Sequence, residues 1–210
     1  MKNIFFIRHT QSEANLKNIL ASQLNFSLTE NGRKHAYEIG SHLRKVESID
    51  KIISSPLTRA RQTADLIAKS FDLKVEIDRR LIEQNIGIFS GMTYDEIDKR
   101  KDYMHDRSKR WHWIPKDGES YCMISERLSP FFKSIDFIEG TNILFVTHAV
   151  TMRLIRAHLE KTLPNYPHKL AENGEVWKIN WIDSLSEHKV NTILLMQSSE
   201  EKSRSVESYE

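Results

Sequence analysis

Short apolar runs alternate with stretches of helical spacing along most of this chain, and that alternation narrows the fold more than anything else in it. Residues 3–7 (NIFFI), 51–54 (KIIS), 74–77 (KVEI) and 142–147 (NILFVT) are each too short for a buried helix. Bounded by charged and turn residues, they read as strands. Residues 30–45 have helical spacing, with Thr29 as N-cap. A second helix runs to about residue 70, with Pro56 near its first turn. Residues 119–138 and 150–160 read as two more helices, the former kinked by Pro130. After the third strand, 82–118 is irregular apart from a short helix near 93–102. Residues 175–181 and 190–196 read as a late hairpin. Strand–helix alternation of this kind predicts an α/β fold with a largely parallel sheet.

Composition closes off other classes. A chain of 210 residues can bury a full core without disulfide or metal staples. With 7 glycines and 5 prolines it is neither collagen-like nor wholly disordered. No apolar run reaches the roughly 20 residues that span a bilayer. The opening MKNIFFIRHT has too short an apolar run for a secretion signal. Cys122 is the single cysteine, so no internal disulfide forms and a reducing cytoplasm is the default location. Thirty-one basic and 29 acidic residues leave a net charge of +2, with no overall pull toward nucleic acid or an anionic membrane. Residues 99–112 (KRKDYMHDRSKRWH) are a local exception. The nine histidines show no HExxH spacing, so no metal site and no cofactor is expected. The expected organisation is one domain over 1–197 with a flap near 92–117, then a disordered polar tail at 198–210. The sequence does not give the oligomeric state.

In parallel α/β sheets, ligands bind beyond the carboxyl ends of the strands. Arg8 and His9 follow the first strand, Arg59 stands shortly after the second, and His148 with Ala149 follows the fourth. Taken singly, each is an ordinary surface or core-edge residue. Together they form a set with a definite chemistry. Arginine grips phosphate oxygens with a planar fork. A neutral histidine can attack phosphorus and hold the phosphoryl group. A second histidine and helix N-termini can stabilise the charge that moves onto its oxygens. Glu83, after the third strand, is the candidate acid for the leaving oxygen.

The motifs around these residues resemble those of the histidine phosphatase superfamily, also called phosphoglycerate mutase-like. They are RHTQSEAN at 8–15, LTENGRKHA at 28–36, SPLTRARQTA at 55–64, LIEQNIGIFSG at 81–91, GES at 118–120 and VTHAVTMR at 146–153. The matches are collinear. The resemblance implies a three-layer α/β/α sandwich. It also implies His9 as the nucleophile that becomes phosphohistidine, and Arg8, Arg59 and His148 as the phosphate pocket. Glu83 would be the proton donor, and Ser12, Asn15 and Ala149 further substrate contacts. No metal is implied. Three positions depart from the family pattern. Thr10 and Ala149 stand where glycine is usual, and Asn25 stands where many relatives have Asp. A β-branched Thr10 disfavours backbone conformations that glycine adopts freely.

The family's mutases usually carry Trp before the first-motif Asn, Arg-His-Tyr after the catalytic Glu, and a Tyr-Asp-x-Pro-Pro insert. Here Ala14 and Gln84-Asn85-Ile86 stand in the first two places, and the insert is missing. The expected activity is therefore hydrolysis of a phosphorylated small molecule through phosphohistidine. Mutase-type transfer and a weakly active phospho-ligand binding module are the alternatives. In the flap, six Lys/Arg lie beside Trp111 and Trp113. They read either as a substrate lid or as a solvated segment whose tryptophans pack on the core.

Overall fold

The computed structural model describes residues 2–194, so the expected tail and the end of the last expected strand lie outside the described residues. Six strands form one sheet: β1 (Lys2–Arg8), β2 (Lys51–Ser54), β3 (Val75–Ile77), β4 (Ile143–Thr147), β5 (Val176–Trp181) and β6 (Asn191–Leu194). Their order is β3-β2-β4-β1-β5-β6. The first four are mutually parallel; β5 runs antiparallel to β1 and β6 antiparallel to β5. The late pair is thus the hairpin the sequence suggests, extended from the sheet through β1.

The side-chain period of two explains the layers. Ile4 and Phe6 of β1 point to one face, where Phe145, Leu128, Phe131 and Leu159 pack. Phe5 and Ile7 point to the other, against Ile39, Leu43, Ala64 and Ile67. Helices α5 (Tyr121–Asp136) and α6 (Ala149–Leu159) cover the first face. Helices α2 (Glu30–Val46) and α3 (Thr58–Phe71) cover the second. The result is a three-layer α/β/α sandwich. Among the described residues no helix is long and apolar enough to cross a membrane.

Local expectations hold with two adjustments. Thr29 does cap α2, accepting from the Gly32 N–H at 3.0 Å, and α5 continues through Pro130. Pro56 lies just before α3, near its first turn as expected, but the helix takes its cap from another segment. Leu57 stays extended (φ −68°, ψ 137°), and the helix starts at Thr58. Leu57 has no capping side chain; Asn25 supplies the cap from outside, accepting from Thr58 N at 3.2 Å. That oxygen is common to Asn and Asp, so the departure at Asn25 keeps this contact. The other adjustment is a one-turn helix, α1 (Glu13–Leu16), between β1 and α2. In the flap, the short helix is α4 (Tyr94–Asp98), followed by a 3-10 turn at Arg107–Lys109.

Candidate active site

Strand register brings the candidate residues together. Arg8 of β1 pairs with Thr147 of β4, and Ser54 of β2 pairs with Val146. The residues that follow, His9, His148 and Ser55, therefore emerge side by side. The His9 N–H donates to Thr147 O at 2.9 Å and the Ser55 N–H to Val146 O at 2.9 Å, so the sheet pattern holds into the site. The rings of His9 and His148 lie 5.2 Å apart, and both are buried.

Each ring has one nitrogen fixed. His9 Nδ1 lies 2.8 Å from the Thr10 carbonyl, which accepts its proton and leaves a lone pair on Nε2. The Arg59 Nε–H points at that Nε2, at 3.2 Å. His148 Nε2 meets the Ser55 hydroxyl at 2.7 Å, while its buried Nδ1 has no protein partner. Burial, reinforced by Arg59 and Arg8, holds His9 well below the ordinary histidine range against the opposing Thr10 carbonyl. Burial also lowers His148, with Arg59, His9 and Arg8 adding to the effect. Both rings are thus neutral at physiological pH.

Both arginines donate to backbone carbonyls. Arg59, 2% exposed, donates to Leu24 O at 2.8 Å and Ser22 O at 2.7 Å. Burial lowers its pKa to about 10, which leaves it protonated. Arg8 donates to Ala171 O at 2.7 Å.

Thr10 is accommodated without strain. Among the described residues the left-handed non-glycines are Asn18, Ser22, Asp72, Asp117 and Lys161, so Thr10 does not need a glycine conformation. Its hydroxyl donates to Gly32 O at 2.8 Å. Gly32 itself is required by proximity: a Cβ there would sit 2.0 Å from Gln11 O, in the loop just after His9.

Glu83 reaches the site from the segment after β3. Its Oε1 accepts from Thr151 N at 3.1 Å and its Oε2 from Val150 N at 3.3 Å. The residue at the N-cap of α6, His148, makes no side-chain cap, so Glu83 serves that helix instead. This corrects one expectation: the α6 N–H groups of Val150 and Thr151 hold the glutamate, not a phosphate. Ala149 opens α6 beside His148 and is 8% exposed. Ser12 caps α1, and Asn15 Oδ1 accepts from Ser12 N and Oγ at 3.0 and 2.8 Å. That oxygen is spent within the protein, so Nδ2 is the Asn15 atom that can be offered to a ligand. Among the described residues no group of three or more His, Cys, Asp or Glu side chains could hold a metal.

Several supporting residues were not singled out by the sequence. Asn173 donates to His9 O at 2.8 Å and to Asn15 Oδ1 at 3.3 Å, tying a distant loop to His9. Gln23 donates to Glu83 O at 2.9 Å, and the Thr151 hydroxyl donates to Ile82 O at 2.9 Å. No spacing signal marks any of them. Ser55 lay within a recognised motif, but its partner His148 is 93 positions away.

The flap tryptophans are engaged with protein. Trp111 stacks near Tyr166, with centroids 6.5 Å apart and planes at 24°. Trp113 lies 5.3 Å from Tyr103 and 6.1 Å from Phe89. These contacts favour the packing reading of both rings over a substrate platform.

Comparison with known proteins agrees with this geometry. Residues 4–190 match the family model of the histidine phosphatase superfamily (branch 1). Phosphoglycerate mutase-like protein 4 of Arabidopsis thaliana is 32% identical over 167 residues, 77% of this chain and 71% of that protein. Phosphoserine phosphatase 1 of Hydrogenobacter thermophilus is 31% identical over 159 residues, 73% and 74% of the two chains. Among solved structures, Bacillus stearothermophilus YhfR superposes with a TM-score of 0.79 at 26% identity, covering 92% of this chain and 96% of that one.

Proposed function

The chain belongs to the histidine phosphatase superfamily, and from that premise we propose that it hydrolyses phosphorylated small molecules through a phosphohistidine on His9. The observation that carries the reading is the fixed ring of His9. Its Nδ1 is bound to the Thr10 carbonyl at 2.8 Å and its Nε2 faces the Arg59 Nε–H at 3.2 Å. A phosphomonoester docks with its oxygens toward Arg8, Arg59 and His148. The Arg59 Nε–H moves from His9 Nε2 to a phosphate oxygen, which frees the lone pair for in-line attack. His148 offers the nitrogen that has no protein partner, its other nitrogen being held by Ser55. Fixed donors of this kind stabilise the transferring group without reorganisation.

Glu83 protonates the leaving oxygen. Water then attacks the phosphohistidine, with Glu83 taking the proton back. Ala14 and Gln84, which stand where the family's mutases usually carry Trp and Arg, favour water over a second hydroxyl as acceptor.

Rapid-quench labelling with a mixture of radiolabelled phosphomonoesters in the presence of a chelator tests the proposal. Wild-type protein is expected to carry an acid-labile, base-stable label and to release phosphate to water; His9→Ala should do neither. Label appearing on another residue would overturn the assignment of His9. Return of the label to an alcohol in place of water would mean mutase-type transfer.

A further inference from the structure

Ser22 touches both halves of the candidate site. It is 4% exposed, and its backbone is left-handed, at φ +50°. Residues with a Cβ are disfavoured in that conformation, which glycine adopts freely. A buried serine held there points to a task for its hydroxyl.

That hydroxyl makes two bonds to one segment. It donates to Gln84 O at 3.0 Å and accepts from Ile86 N at 3.0 Å. The neighbouring Gln23 side chain donates to Glu83 O at 2.9 Å. Residues 83–86 thus hang by their main chain on Ser22 and Gln23. The same loop holds Arg59, whose Nη2 donates to Ser22 O at 2.7 Å and Nη1 to Leu24 O at 2.8 Å. Asn25 ties the loop to the start of α3, accepting from Thr58 N at 3.2 Å and Thr58 Oγ1 at 3.1 Å. On the other side, Leu20 N donates to Met92 O at 2.8 Å and Gly91 N to Leu20 O at 2.9 Å. Loop 19–25 is therefore a crosspiece between α3 and the segment that carries Glu83. Ser22 bonds both sides, through its carbonyl to Arg59 and through its hydroxyl to 84–86.

The Glu83 carboxylate is held from elsewhere, by Val150 N and Thr151 N of α6. Helix α6 thus fixes the tip of Glu83 beside His148, while Ser22 and Gln23 fix its main chain against Arg59. A side chain pinned at both ends keeps little freedom, as an acid that must meet one leaving oxygen requires.

We propose that Ser22, with Gln23 beside it, positions Glu83 relative to Arg59. The bond from the Ser22 hydroxyl then sets how well the acid reaches the leaving oxygen of a phosphate held by that arginine. The proposal rests on the phosphatase reading for the roles of Glu83 and Arg59. Ser22 is a positioning residue in it, acting through Glu83.

Ser22→Gly tests this. The variant keeps the carbonyl that binds Arg59, removes the hydroxyl and relieves the left-handed backbone. Relief and loss oppose each other, so Tm should move by less than about 5 °C. A residue that acts through the acid should show in the leaving group. Here kcat/KM is expected to fall about tenfold or more on an alkyl phosphate and less than about threefold on p-nitrophenyl phosphate. In a Glu83→Gln background the same change should cost less than about twofold on the alkyl phosphate, because no acid is left to misplace. Gln23→Met, which removes only the half-buried bond to Glu83 O, should show the same bias at smaller size. Equal losses on both substrates, no loss on either, or the full tenfold loss in the Glu83→Gln background would overturn the role of Ser22 and leave the phosphatase reading standing. Failure of wild type to hydrolyse any phosphomonoester would overturn the phosphatase reading instead. Calorimetric binding of orthovanadate, a five-coordinate phosphate mimic with an apical oxygen on the leaving-group side, then decides without turnover. Wild type, Ser22→Gly, Glu83→Gln and the double variant form the cycle. Non-additive losses of affinity would support the positioning role, and additive ones would overturn it.

Discussion

Replacing Glu83 by glutamine separates acid catalysis from packing. Oε1 of the carboxylate accepts from Gln84 N at 3.0 Å, Thr151 N at 3.1 Å and Thr151 Oγ1 at 3.2 Å, whereas Oε2 accepts one longer bond, from Val150 N at 3.3 Å. A glutamine can keep its oxygen in the Oε1 position and put its NH2 in place of Oε2. One weak bond is exchanged for a donor facing a donor, a loss of about 1–2 kcal/mol. For a chain of this size that lowers Tm by about 2–8 °C, so the variant should fold. Its catalytic loss depends on the leaving group. General acid catalysis contributes about 10²–10⁴-fold, or roughly 3–5 kcal/mol, where the leaving oxygen is strongly basic. Glu83→Gln should therefore lose about 10²–10⁴ in kcat/KM toward an alkyl phosphate, and about tenfold or less toward p-nitrophenyl phosphate, whose phenolate needs little protonation. Steady-state kinetics on both substrates, with denaturant melts alongside, make the comparison. Equal losses on the two substrates would remove Glu83 from the acid role. A stability loss well beyond about 3 kcal/mol would refute the bond count.

Ser55→Ala removes the partner of His148 Nε2 inside a buried site. Stability should fall by about 1–3 kcal/mol and kcat by about tenfold or more; unchanged kcat would leave Ser55 a packing residue. Thr10→Gly restores the family residue but removes the bond to Gly32 O and adds backbone freedom. Urea melts should show a loss of about 1–2 kcal/mol, with p-nitrophenyl phosphate turnover within about threefold, because a backbone carbonyl holds His9. Acid should destabilise the protein through His158, which stacks on Phe132 at 4.0 Å. Burial, with Lys161 and His188, lowers its pKa from 6.5 to about 4, so the unfolded chain binds the extra proton between those values. The stabilisation is complete above pH 6.5 and is lost as pH falls toward 4. About 3 kcal/mol follows from the shift, reduced to about 1–2 by partial exposure. His158→Phe should flatten the stability difference between neutral and acid pH, and an unaltered pH slope would refute this.

Much of the fold was legible because its signals are local. NIFFI sends alternate residues to opposite faces, and Thr29 caps α2 from three residues away. The cap of α3 is not legible locally, because Asn25 comes from another segment. Short helix α1 gives no sequence signal, because a single turn carries no periodicity. At the candidate site, His9, Arg8, Arg59 and His148 could be picked out as residues that follow strands. Their supports could not. Asn173, Gln23 and Thr151 are common polar residues with no distinguishing spacing.

The sequence by itself determined which residues could do the chemistry, because residue type, apolar period and motif spacing are properties of neighbours along the chain. The tertiary structure alone decided how those residues act. Arg8 opposite Thr147 sets the two histidines level. Glu83 caps α6 from 67 positions away, and Asn173 holds the His9 carbonyl across 164 positions. Arg153 lies 5.9 Å from the ring of Tyr166, whose hydroxyl donates to Arg107 O. Hydrogen bonds and charge act over a few ångströms of space without regard to sequence separation, so these partners exist only once the sheet has closed.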